Sequence, residues 1–91
     1  MTAFALDSRP ALKPLFRMQW EPVQKGHVLL YPEGMVQLND SAAEILKYCD
    51  GQHSVQAICA DLAERFQAQD IQDDVMDFLR HALERGWLQL P

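Results

Sequence analysis

One stretch, Leu38-Asn39-Asp40-Ser41-Ala42-Ala43-Glu44-Ile45-Leu46, divides the chain into two unlike halves. Asn39, Asp40 and Ser41 are each able to accept a bond from a free backbone N–H and so begin a helix. Ser41 and Glu44 have the spacing of a reciprocal capping pair. Ala42, Ile45, Leu46 and Cys49 then recur on one helical face. Asp50-Gly51 is expected to end that helix, since glycine adopts the left-handed conformation at no steric cost. The frame that follows is a sheet before residue 39 and helices after it.

Before that boundary the pattern alternates. Phe16, Met18 and Trp20 interleave with Arg17, Gln19 and Glu21, which predicts a strand with one buried face. Pro22 stops it and Lys25-Gly26 turns the chain. His27 to Tyr31 reads as a second strand, and Pro32-Glu33-Gly34 as a tight turn into a short third strand, Met35 to Leu38. A sheet this small is marginal alone and needs helices to cover it. Residues 1–14, with Pro10 and Pro14, read as a flexible N-terminal arm ahead of a single domain over residues 15–91.

After the boundary, helix one is expected over about residues 41–50 and helix two over about 54–67. Ser54 caps helix two, and Val55, Ile58, Cys59, Leu62 and Phe66 form its inner face. Helix three is expected to start near Asp70, whose side chain can cap it, with Asp73 and Asp74 at the positive end of its dipole. Ile71, Val75, Phe78, Leu79 and Ala82 make its main stripe, which Met76 and Leu83 widen. Gly86 ends the helix and Trp87-Leu88 fold back as a plug. The predicted fold class is α+β, a winged-helix-like β3α3 domain with a short antiparallel N-terminal sheet followed by three helices.

At 91 residues the chain is one small domain, burying roughly 60–65% of its unfolded surface, which leaves little room for a deep catalytic cavity. No apolar run approaches a membrane span, and Met1 to Ser8 carries Asp7 and no basic region, so the expected location is cytoplasmic. His27, His53 and His81 are scattered without metal or catalytic spacing, and no phosphate loop occurs. Cys49 and Cys59 lack C-x-x-C form and fit core packing. No enzyme activity, cofactor or metal is expected.

Three helices beside a short sheet also fit a winged-helix DNA-binding regulator. Against this, Asp61, Glu64, Asp70, Asp73, Asp74, Asp77 and Glu84 face only Arg65, Arg80 and Arg85 over the same stretch. Phosphate binding requires the opposite sign.

Leu29-Leu30-Tyr31-Pro32-Glu33-Gly34, then Leu38-Asn39-Asp40-Ser41-Ala42, Ile45-Leu46, Asp50-Gly51 and Gly86-Trp87-Leu88 follow one another as they do in a known family. The chain resembles the pyrroloquinoline quinone (PQQ) biosynthesis protein D family over roughly residues 9–90. The resemblance implies a peptide chaperone. Its partners would be the ribosomal precursor peptide (protein A of the pathway) and protein E, a radical S-adenosylmethionine enzyme with iron–sulfur clusters. It implies a β3α3 fold and transfers neither catalysis nor a cofactor to this chain. It also places the peptide along the third strand and against the third helix. The candidate binding residues are then Met35, Val36, Gln37 and Leu38 on one wall and Val75, Met76, Leu79 and Leu83 on the other. Core packing competes for Val36, Leu38, Val75 and Phe78, whereas flexible Met35 and Met76 fit a ligand surface better. The short Pro32-Glu33-Gly34 hinge leaves open a monomer or a domain-swapped homodimer.

Overall fold

The structure is a computed structural model that describes residues 4–90. Residues 1–3 of the expected arm, and Pro91, lie outside the described residues. The elements run β1 (Ala11–Leu12), β2 (Arg17–Glu21), β3 (Gly26–Tyr31), β4 (Gly34–Leu38), α1 (Asp40–Leu46), α2 (Val55–Arg65), α3 (Gln72–Glu84) and β5 (Leu88–Gln89). The expected α+β order of three strands and three helices is therefore present as β2–β4 and α1–α3. The sheet order is β2-β3-β4, antiparallel throughout. Its register pairs Met18 with Leu29 and Leu29 with Val36, so these three side chains share the face turned toward the helices.

Asn39 is the cap of α1. Its Oδ1 accepts from the Ala42 N–H at 2.7 Å, and its carbonyl accepts from Ala43 at 3.0 Å. With the cap at Asn39, Ser41 already lies inside the first turn, so the expected Ser41–Glu44 pair does not form. Glu44 instead accepts from Lys47 and Arg65. Helix α1 also ends at Leu46 rather than at Asp50-Gly51. The Tyr48 and Cys49 N–H groups bond back only three residues, to Ile45 and Leu46, which tightens and stops the helix. Gly51, at φ 79°, turns the chain toward α2.

Helix α2 has the expected cap, with Ser54 Oγ accepting from Ala57 N–H at 3.1 Å. Helix α3 does not use Asp70 as its cap. Asp70 takes φ 58° in the preceding loop, and Ile71 occupies the cap position without a side-chain bond. At the other end Gly86 (φ 83°) donates to Leu83 O and Trp87 donates to Ala82 O. This pair of bonds satisfies the last carbonyls of the helix and sends the chain back. Leu88 then reaches the core at 2% exposure.

The flexible-arm expectation is corrected for the described part of residues 1–14. Ser8 O accepts from Val55 N–H at 2.8 Å and Leu6 O from Gln56 N–H at 2.9 Å, so the segment satisfies the free donors that open α2. Pro10 is fully buried, and its carbonyl accepts from Gly51. Ala11 and Leu12 pair with Gln89 and Leu88, joining the two ends of the domain as β1 and β5. Leu29, Leu46, Val55, Ile58, Leu79 and Leu88 form the fully buried centre, drawn from both sheets and all three helices.

Deleting residues 1–12 should therefore destabilise the domain by about 3 kcal/mol. Several backbone bonds of about 0.5–1.5 kcal/mol each are lost, offset by the entropy of the released segment. Urea unfolding of the shortened and full chains checks this, and equal midpoints would show that the segment contributes nothing.

Candidate functional site

Strand β4 lies at the edge of its sheet. A two-residue turn, Pro32-Glu33, joins β3 to β4, so the closing pair Tyr31–Gly34 exchanges both backbone bonds. Antiparallel alternation then makes Leu29–Val36 and His27–Leu38 bonded pairs, while Leu30–Met35 and Val28–Gln37 are not. Met35 and Gln37 consequently direct their N–H and C=O groups outward from the sheet. Sheet edges are commonly blocked by lysine, proline or a bulge. Gly34-Met35-Val36-Gln37-Leu38 contains no charge and no proline. The opposite edge, β2, begins with Arg17 and ends with Glu21.

The edge runs into an apolar groove. Asn39, the residue after β4, is at its mouth together with Asp40 and Ser41 of α1. The groove encloses about 390 Å³ between α1, the end of α2 and the start of α3. That is the small end of the roughly 300–1,000 Å³ range of ligand sites. Its floor is Ala42, Ile45, Leu62 and Val75, all buried, and its wall is half-buried Ile71 and Phe78. Phe66 forms the lip at 54% exposure, because α2 ends at Arg65 and Gln67 (φ 49°) turns the chain before the ring reaches the core. Glu44 stands at the rim, held by Lys47 at 3.2 Å and Arg65 at 3.4 Å.

The candidate residues divide by environment. On β4, Met35 and Gln37 lie on the outer face, and Gln37 Nε2 donates to Gln24 Oε1 at 3.0 Å. Val36 is half-buried and Leu38 buried on the helix-facing side. On α3, Val75 is the one candidate that lines the groove. Leu79 has no exposed surface, and half-buried Met76 packs on the core. Leu83 lines a second cleft with Phe4, Lys13, Arg80 and Leu88. Ile71, Phe78 and Phe66 read from sequence as core stripe residues. They form the groove because three helices meet there, an arrangement that periodicity along any one helix does not contain.

Among the described residues, no group of three or more His, Cys, Asp or Glu is placed to hold a metal ion. His27 packs edge-on against Trp20 at 5.1 Å, and His53 Nδ1 lies 3.0 Å from Asp50 Oδ1. The Gln52 N–H and His53 together hold the Asp50 carboxyl below its usual range. Cys49 and Cys59 are free and buried. Burial, reinforced by the neighbouring Asp50 charge, pushes the Cys49 thiol up to about 12, and burial also raises Cys59. Both thiols stay protonated at neutral pH, and the thiolate is the reactive form. Iodoacetamide at about pH 8 should therefore leave native Cys49 unmodified while labelling both cysteines in denaturant. Mass spectrometry reads the difference, and rapid labelling of native Cys49 would contradict it.

Fold and site together define a small α+β domain with an unblocked sheet edge opening onto an apolar groove. The Coenzyme PQQ synthesis protein D (PqqD) profile matches residues 26–88, and the chain belongs to that family. It is 55% identical to the PqqA binding protein of Azotobacter vinelandii over 91 residues, covering 99% of each chain. It is 53% identical to the PqqA binding protein of Pseudomonas aeruginosa at the same coverage. Its fold matches the solution NMR structure of the PqqD truncation of Methylobacterium extorquens PqqCD, a stand-alone recognition element for ribosomally synthesized and post-translationally modified peptides. The TM-score is 0.81 at 31% identity, over 97% of this chain and 96% of that one.

Proposed function

We propose that this chain is a peptide chaperone of PQQ biosynthesis that binds the precursor peptide PqqA and presents it to the radical S-adenosylmethionine enzyme PqqE. The observation that carries the reading is the free edge of β4, which ends at the mouth of an apolar groove. An extended peptide completes such an edge through its own backbone, and a neighbouring pocket selects its side chains. Relatives named for PqqA binding, and a recognition element of the same fold, support this reading.

In the proposed mode the peptide pairs with the outward groups of Met35 and Gln37. Val36 and Leu38 support that strand from the core side. An apolar peptide side chain enters the groove against Val75, Ile71 and Phe78. Met76 flanks this surface, while Leu79 braces it from inside and Leu83 belongs to the second cleft. No covalent chemistry is assigned to the chain, whose part is to hold the peptide extended for another protein to modify. No helix among the described residues is long and apolar enough to cross a membrane, and we assign the chain to the cytoplasm, where ribosomal peptides are made. DNA binding is disfavoured by the acidic start of α3, where Asp73 and Asp74 would meet phosphate.

Gln37→Pro tests the strand addition. Proline is tolerated on an edge where its missing N–H would have faced solvent. The variant should fold, yet lose one docking bond and obstruct the incoming strand. Titration calorimetry with a synthetic PqqA peptide should show affinity reduced about tenfold or more, given roughly 0.5–1.5 kcal/mol per bond plus the clash. Amide shifts in the wild type should gather in residues 34–38 and 71–78. Glu64→Lys, on the exposed face of α2, should bind as wild type. Unchanged binding by Gln37→Pro, with shifts confined to the N-terminal segment, would refute strand addition.

A further inference from the structure

The charges about the groove mouth nearly cancel. Glu44 is held by Lys47 and Arg65, and Asp40 and Asp74 stand in first helical turns whose partial positive charges oppose them. What the groove can read in an occupant is therefore apolar shape. Among the described residues, the exposed large apolar side chains are Leu6, Leu15, Trp20, Val23, Met35 and Phe66. All but Phe66 precede the helical half, and Phe66 is the one that lines the groove. Its exposure is built into the backbone. Gln67 takes φ 49°, a left-handed conformation that a residue with a Cβ rarely adopts, so α2 ends with the ring at the lip instead of in the core.

The ring is also held in place. The Arg65 guanidinium lies over it, 5.2 Å from its centroid, and Arg65 Nη2 reaches Glu44 Oε1 on α1 at 3.4 Å. One face of Phe66 is thereby covered by a cation tied to α1, while the ring still borders the groove. Phe78 borders the same groove from α3, half-buried. The two rings do not stack on each other. The aromatic pairs among the described residues are Phe16–Tyr31, Trp20–His27 and Tyr48–His53. Two rings on one apolar groove, unpaired with each other, leave room for a third between them. A ring placed there gains offset or edge-to-face contact beyond the area it buries, whereas an aliphatic side chain gains from area alone.

We infer that Phe66 is a specificity-determining residue, and that the peptide side chain it selects is an aromatic ring, held between Phe66 and Phe78. This inference rests on the peptide docking proposed above and names the class of side chain that fills the groove. Small, buried Ala42 on the floor leaves depth for a flat ring. Arg65 acts through Phe66, keeping the ring at the lip before the peptide arrives, so that little freedom is lost on binding.

The test is titration calorimetry with the full chain and a synthetic PqqA peptide, run as a double-mutant cycle across the interface. Phe66→Leu keeps an apolar side chain at the lip but removes the ring, and should weaken binding about 3- to 10-fold. Phe66→Tyr keeps the ring and should bind within about 2-fold of wild type. Replacing each aromatic residue of the peptide by Leu in turn should identify one whose loss weakens binding to the wild type by a similar factor. The same replacement should change binding to Phe66→Leu by less than about 2-fold, because the ring contact is already gone. Phe66 is more than half exposed, so thermal melts of both variants should stay close to wild type. Intermolecular NOEs in the wild-type complex should join the Phe66 ring protons to that same peptide residue, a measurement that needs no variant to fold. Peptide binding with amide shifts at residues 34–38, but independent effects of the two changes or Phe66 contacts to aliphatic residues alone, would overturn the aromatic rule and leave the strand docking intact. Absence of peptide binding by the wild type would overturn both.

Discussion

The bond from Ala42 N–H to Asn39 Oδ1 fixes the corner on which the rest of the site depends. It begins α1 one residue after β4 ends, with no loop between them. The chain leaves the sheet at once and cannot fold back over the edge of β4. The same corner lays the first turn of α1 along the mouth of the groove. Edge and groove are adjacent because one short side chain satisfies a helix donor at the end of a strand. An Asn-to-Ala change at such a cap typically costs about 0.5–2 kcal/mol, but its geometric effect here is larger than that figure conveys.

A second constraint acts at a distance. The segment before β2 and the segment after α3 meet as β1 and β5, and the first also closes the start of α2. These bonds join the segment after α1, the start of α2 and the segment after α3 to one stretch of backbone. The domain is thus tied where the chain ends meet and open where β4 lies. Domains of this size bury little surface, so satisfying the α2 donors with backbone from residues 6 and 8 matters to the whole.

Much of this architecture was legible in the residues. Alternation placed β2, a run of β-branched and large apolar residues placed β3, the Pro32-Glu33-Gly34 turn placed β4, Ser54 announced α2, and Gly86 with Trp87-Leu88 announced the end of α3 and the buried plug. Local signals decided those features. Other features depend on distant partners. The pairing of Ala11-Leu12 with Leu88-Gln89 joins segments that carry no strand pattern of their own, so residues 4–14 read as loose. Helix α1 ends at Leu46 in the three-residue bonds of Tyr48 and Cys49, and the residues that follow bridge to Ala11, a partner distant in sequence. Asp70 looks like a cap in sequence but takes a left-handed turn that lets α2 and α3 pack. At the site, the exposed edge residues Met35 and Gln37 could be anticipated from alternation. The groove residues Ile71, Phe78 and Phe66 could not, since they look like any inward-facing stripe until the crossing of the helices leaves a gap between them.

The proposed docking mode has an energetic consequence that suits a carrier. The outward groups of two residues offer only a few backbone bonds, each worth about 0.5–1.5 kcal/mol net. One or two apolar side chains in a groove of this size add about 1.5–3 kcal/mol each. Against these stands the cost of ordering an extended peptide, about 1–2 kcal/mol per residue fixed. The balance favours an association that is specific but not permanent. Neither the edge nor the groove encloses the peptide, since β4 contributes one side of a pair and the groove is open at its mouth. A bound strand so held keeps its far edge and its remaining side chains exposed. A second protein can engage those groups while the first still grips the backbone, which is the geometry that presentation requires.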